Sequence, residues 1–151
     1  MQNQFDATRT SRDLYGRYFD NFTLEQLNKI PAGFNNNLIW NIGHVVISQQ
    51  TLVYKSSNQT PMVSDELIAR YFMGTKPVRD ATQAEADEIK NLLFATIDKT
   101  EEDYRNGLFT SYNTRKTLLG FMLNTVDDAI VFNNYHEGIH LGIMMQLRKF
   151  I

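Results

Sequence analysis

The chain carries three histidines, His44, His136 and His140, and the last two stand four residues apart in the stretch Asn133–Ile143, NNYHEGIHLGI. On an α-helix, residues i and i+4 sit one above the other on the same face. Two imidazoles so placed can point at one metal ion from successive turns. His44 falls in NIGHVV, within a second run that reads as helix. Three neutral imidazoles with no fourth protein ligand describe a divalent site with an open coordination position, which catalytic sites keep and structural zinc sites close. Taken singly, a histidine on an apolar face is more often a core residue bonded to a neighbour. The metal reading outweighs this because all three fall on inward-facing stripes, two of them at ligand spacing.

Two rival motifs share these residues. His136-Glu137-Gly138-Ile139-His140 matches H-E-x-x-H, in which both histidines bind zinc and the glutamate is general base. That motif takes its third ligand downstream, yet only eleven residues follow His140 and none is His, Asp or Glu. A di-iron bundle needs two Glu-x-x-His pairs. Glu137 and His140 supply one, but Asn41 stands three residues before His44, so there is no second.

The elements that must position the histidines are helical. From Phe5 to Asn21, Tyr15, Phe19 and Phe22 recur at helical spacing with Phe5 and Tyr18 close by, an aromatic stripe read as core. Thr23-Leu24-Glu25-Gln26 is a capping-box pattern for a short helix ending before Pro31. A long helix is expected from about Asn36 to Lys55. Its His44 stripe holds Asn37, Trp40, Asn41, Ser48 and Thr51, polar but uncharged as a small wet cavity requires. The opposite stripe, Ile39, Ile42, Val46 and Val53, needs covering by another helix or a second subunit.

Ser64 caps the short helix DELIARYF, and the linker from Gly74 to Asp80 is placed to fold over one end of a bundle. Thr82-Gln83-Ala84-Glu85 is another capping box, opening an amphipathic helix that ends at Gly107. Residues 108–124 mix β-branched, aromatic and turn types and are expected to form an extended or irregular crossover. Thr125, Asp127 and Asp128 start the last helix with the charge its dipole favours. Its inward face is Ala129, Phe132, Asn133, His136, His140, Ile143 and Leu147. The expected fold is all-α: residues 1–151 as a single four-helix bundle with crossover connections and one or two short extra helices.

Composition narrows the function classes. The net charge of −2 offers no basic face for nucleic acid. With no cysteine there is no disulfide framework, thiolate ligand or cysteine nucleophile. No window approaches the roughly 18 apolar residues of a spanning helix, and the start lacks the pattern of a secretory signal. The expectation is a cytoplasmic protein without nucleic-acid or membrane partners.

Trp40-Asn41-Ile42-Gly43-His44, together with His136-Glu137-Gly138-Ile139-His140-Leu141-Gly142, resembles the DinB-like (DNA-damage-inducible) superfamily of metal-binding four-helix bundles. Pro31-Ala32-Gly33 and Phe72-Met73-Gly74-Thr75-Lys76-Pro77 extend the likeness over nearly the whole chain. The resemblance implies a histidine triad binding zinc or nickel, commonly in a homodimer. It also implies kinship with thiol S-transferases that use bacillithiol or mycothiol, and with metal-dependent hydrolases. The family name records damage-induced expression of one member and is no sign of DNA binding.

Carried onto this chain, His44, His136 and His140 are the metal ligands, and no catalytic residue is identified. Such an ion lowers the pKa of bound water or stabilises a thiolate, and the sequence does not choose between hydrolase and thiol transferase on a small-molecule substrate. A metal or small-molecule binder without turnover is the alternative. Asn41, Ser48, Asn133 and Trp40 are candidate outer-shell or pocket groups. Glu137, about 100° around the helix from His136, is a candidate outer-shell or surface carboxylate as much as a base. Because free imidazoles titrate near pH 6.5, metal affinity is expected to fall below about that pH.

Overall fold

In the computed structural model, which describes residues 1–151, most helices begin where a side-chain oxygen takes one of the first free amides. The first, α1 (Gln2–Asn21), lacks such a cap. Thr23 opens α2 (Leu24–Asn28) with a reciprocal box to Gln26. Asn37 opens α3 (Leu38–Val53) and Ser64 opens α4 (Asp65–Tyr71). Thr82 opens α5 (Gln83–Arg105), and Thr125 opens α6 (Val126–Leu147) with a reciprocal box to Asp128. Each such cap contributes on the order of 1 kcal/mol. The box at Thr82 is only half closed: Thr82 accepts from the Glu85 amide, but the Glu85 carboxylate turns instead to Arg70, Arg79 and the Tyr71 hydroxyl.

The four long helices form a ring in which α1 packs on α5 and α6, and α3 packs on the same two. The connections from α1 to α3 and from α5 to α6 therefore join diagonal partners, whereas α3 leads to its neighbour α5. Residues 108–124, expected to be an extended or irregular crossover, contain a short antiparallel hairpin, β1 (Arg115–Lys116) with β2 (Met122–Leu123), in which Arg115 faces Leu123 and Lys116 faces Met122. Gly120 turns it at φ 90°, a conformation open mainly to glycine. No helix is long and apolar enough to cross a membrane.

Helix α3 is the centre of the bundle, and every one of its residues except Ser48 is buried. The stripe Ile39, Ile42, Val46 and Val53 is covered by the chain itself, since α2, α4 and α5 all pack on α3. A second subunit is not needed there, which removes the physical ground on which that stripe suggested a dimer. On α6, Ile143 is not inward as its spacing predicts but exposed, while Met144 is wholly buried.

Two apolar clusters fill the bundle. One joins Tyr15, Ile42, Leu93 and Met144, the other Phe5, Leu52, Ile97 and Phe132. Between them runs a buried polar layer contributed by all four long helices: Thr8 and Arg12, Gln49, Thr96 and Thr100, Asn133 and Glu137. Most of its members bond one another, as buried polar groups generally do, although Asn133 Oδ1 has no partner in the protein. The Gln49 amide donates to Thr100 Oγ1 at 2.8 Å, and Arg12 Nη1 donates to the Leu93 carbonyl at 3.1 Å.

Candidate metal centre

His44 on α3 and His136 and His140 on α6 meet on the flank of this layer, with one ring nitrogen from each lying within 4.8 Å of the others. Four-coordinate zinc at its usual 2.0–2.1 Å from nitrogen sets ligand atoms roughly 3.3 Å apart. The set is thus slightly open, and small imidazole rotations close it.

The hydrogen bonds fix two of the three tautomers. His44 Nδ1 lies 2.7 Å from the Tyr71 carbonyl. A carbonyl only accepts, so Nδ1 carries the proton and Nε2 presents its lone pair. That carbonyl is at the C-terminal end of α4, where helix acceptors lack an internal partner. His140 Nδ1 lies 2.8 Å from Asn41 Oδ1. The Asn41 amide nitrogen is engaged by the Asn37 carbonyl and Asn36 Oδ1, which leaves its oxygen to accept from His140. His140 Nε2 is therefore also free. His136 keeps Nδ1 buried with no hydrogen-bond partner in the protein, a costly arrangement unless something else engages that nitrogen. Convergent free lone pairs and an orphaned imidazole nitrogen fit a divalent ion.

Electrostatics agree. Burial pushes the His136 pKa down to about 4, with the neighbouring His44 adding to the shift. Burial, then His136 and His44, take His140 down to about 3. His44 is lowered by burial against the opposing pull of the Tyr71 carbonyl. Burial thus favours the neutral, lone-pair-bearing form of all three histidines.

Trp40 stacks on His44 with ring centres 4.8 Å apart and planes at 8°, its Nε1 donating to Thr75 Oγ1. It backs the ligand rather than lining the cavity. Ser48 Oγ lies 3.2 Å from His44 Nε2 and donates to that lone pair, a contact an ion would displace. Asn41 orients His140. The structure does not bring Asn133 and Glu137 to the cluster. Glu137 is neither a surface carboxylate nor within the cavity lining: it is wholly buried and accepts from Arg12, from the Asn133 amide at 2.8 Å and from no water-facing group.

A cavity of about 350 Å³ opens from the three histidines and is walled by Leu52, Met73, Phe132 and Ile139. Its outer wall is the α5–α6 crossover, through Arg115 to Leu119. Sequence reasoning missed these residues because a short hairpin with exposed leucines carries no periodic signal. Arg12 was missed too, although Phe5, Thr8, Arg12 and Tyr15 stand at i+3 and i+4 steps on one buried stripe. A charge within a core stripe was the available clue.

The fold and site define a four-helix bundle with a three-histidine candidate metal centre beside a largely apolar cavity. The chain belongs to the DinB superfamily, whose sequence model matches residues 7–144. Among solved structures it is similar in fold to a conserved protein from Enterococcus faecalis. The two are 12% identical, with a TM-score of 0.69 over 99% of this chain and 95% of that one. No curated protein matches the sequence.

Proposed function

We propose that His44, His136 and His140 hold one divalent ion, zinc or nickel, and that the protein is a metal-dependent enzyme acting on a small molecule, of the thiol S-transferase type ahead of the hydrolase type. The observation that carries this is the convergence of three neutral imidazoles on the floor of a cavity. Imidazole ligands accept zinc and nickel alike. A divalent ion at an open position supplies Lewis acidity, lowering the pKa of a thiol or water bound there.

The cavity lining favours the thiol. It contains no Asp or Glu, and Glu137 is committed to Arg12. A hydrolase gains from a positioned base beside its water, whereas a thiol whose pKa a bound ion would lower would not need one. The protein's own residues hold the ligands neutral, orient two of them through Tyr71 and Asn41, and exclude water with Leu52, Phe132 and Ile139. The same lack of a carboxylate supports the second reading, a metal or small-molecule binder without turnover. A homodimer is supported by kinship alone, and light scattering on a sizing column tests it.

The functional test is thioether formation from low-molecular-weight thiols and a fluorogenic haloalkyl bimane. Metal-loaded protein should outpace both chelated protein and the His140→Ala variant. Ester cleavage without thioether formation would favour the hydrolase. Stoichiometric metal with neither activity would favour the binder.

A further inference from the structure

We propose that the groove beside the histidine cavity binds the anionic end of the substrate, which is thereby an amphiphilic small molecule bearing a carboxylate or phosphate. This rests on the reading of the histidine cluster as an open metal position. The cavity at the histidines runs into a second groove of about 770 Å³, and Thr51, Phe72, Arg115 and Lys116 line both. No Asp or Glu lines either space, whereas Lys55, Arg115 and Lys116 do. In a chain with net charge −2, such a one-signed wall is not what the composition alone would place there.

Two of these cations are unspent. Arg115 and Lys116 enter none of the protein's ion pairs. Lys55 reaches only Asp65, at 3.7 Å, whose carboxylate is almost fully exposed. The hairpin holds the pair at the rim: Arg115 is anchored opposite buried Leu123, and Lys116 opposite Met122. Hydroxyl and amide groups of Thr51, Ser56, Thr75 and Asn113 complete the outer groove. The inner cavity is apolar on Leu118, Leu119 and Phe132. The histidine cluster and its apolar wall thus open into a groove that carries cations and hydrogen-bonding groups.

A ligand with a neutral tail would leave the cations hydrated and gain little from them. An anionic tail gains charge-assisted hydrogen bonds, and the guanidinium fork accepts a carboxylate or a phosphate equally well. The one-signed wall also raises the encounter rate of anions. Three cations in a groove of this size suit one small molecule and are too few for a nucleic acid.

The test uses cobalt-substituted protein, whose visible spectrum reports a thiol entering the open position. Mercaptoalkanoates, mercaptoalkyl phosphonates and mercaptoalkanols of matched and increasing chain length are the probes. Anionic tails should bind about tenfold tighter than the hydroxyl tail of the same length, the size expected of two half-exposed charge contacts. The gap should shrink with added salt. It should vanish in the Arg115→Gln/Lys116→Gln double variant, read as the ratio of anionic to hydroxyl affinity within that variant. The tighter of the two anions names the group.

Equal affinities in the wild type, or a gap that survives the double variant, would overturn the assignment. Calorimetry of plain alkanoates, alkyl phosphates and alkanols on chelated protein reads the groove without the metal. A charge-dependent gap there sustains the groove even if no thiol perturbs the cobalt spectrum, a result that would overturn only the reading of the metal position as open to thiols.

Discussion

Arg12 and Glu137 form an ion pair at 2.7 Å in which both side chains are 0% exposed. The carboxylate lies between two candidate metal ligands in sequence yet faces away from the cluster, toward Arg12 of α1, which also reaches α5. Asn133 donates to it from one turn earlier, Arg12 also holds the Leu93 carbonyl of α5, and the Tyr15 hydroxyl donates to the Glu137 carbonyl. Three helices are thereby locked in rotation about one carboxylate. With Glu137 turned into the layer, His136 lies about 100° to one side of it and His140 about 60° to the other by the helix repeat, and both reach the cavity. The glutamate of H-E-x-x-H is here wholly buried and paired with Arg12.

Removing one partner of such a pair strands the other charge in the interior. Glu137→Gln should lose about 3–5 kcal/mol of stability in urea titration. Below its transition the variant should still bind metal. Replacing both partners with apolar residues, Arg12→Met with Glu137→Leu, should recover most of the loss. A Glu137→Gln variant as stable as the wild type but devoid of activity would return the base role to this residue.

Asn41 should matter through His140 alone. Its Oδ1 accepts the Nδ1 proton, fixing the ring so that Nε2 faces the cluster. Losing such an outer partner typically weakens metal binding by about 10–100-fold. Asn41→Leu, titrated with zinc against a chelating indicator, should show a loss in that range with helix content retained. Unchanged affinity would mean that His140 is oriented by something else.

Gly43 admits Tyr71. A Cβ at this position would meet the Tyr71 ring at 2.6–2.8 Å, and Tyr71 is buried and tied to Glu85. Gly43→Ala should therefore cost about 1–3 kcal/mol, as overpacking of a core does. Because the displaced residue also supplies the carbonyl that fixes His44, zinc affinity should fall with stability. Loss of stability with full affinity would separate the two roles.

Acid should destabilise the metal-free protein from a definite starting point. The unfolded chain protonates its imidazoles near pH 6.5, whereas the folded values are about 4 for His136 and about 3 for His140. Between these limits the unfolded state binds more protons, so stability is intact above about pH 6.5 and declines as pH falls. The slope is at most about 1.4 kcal/mol per pH unit for each histidine. Melting curves of chelated wild type and His136→Phe over this window should diverge, the wild type losing more. Parallel profiles would contradict the buried, neutral state assigned to His136.

The helices and the triad were legible in the sequence for the same reason. Capping residues such as Thr23, Asn37 and Thr125, and the spacing of His136 and His140, act over one helical turn. What remained hidden is long-range. Arg12 meets Glu137 across 125 residues, and a charged side chain on a helix reads as solvated until its partner is known. The apolar stripe of α3 left another helix or a second subunit open as its cover, because the packing of α2, α4 and α5 on α3 is tertiary and leaves no local signal. Arg115 to Leu119 became cavity wall only through the path of the α5–α6 crossover, which no periodicity describes.

The central claim is that three histidines form one metal site, and metal content tests it most directly. Untagged protein purified without added metal should carry near one equivalent of zinc or nickel by elemental mass spectrometry, and the His44→Ala variant should carry almost none. The same metal content in both, or no uptake by wild type after reconstitution, would contradict the site and return His44, His136 and His140 to the core.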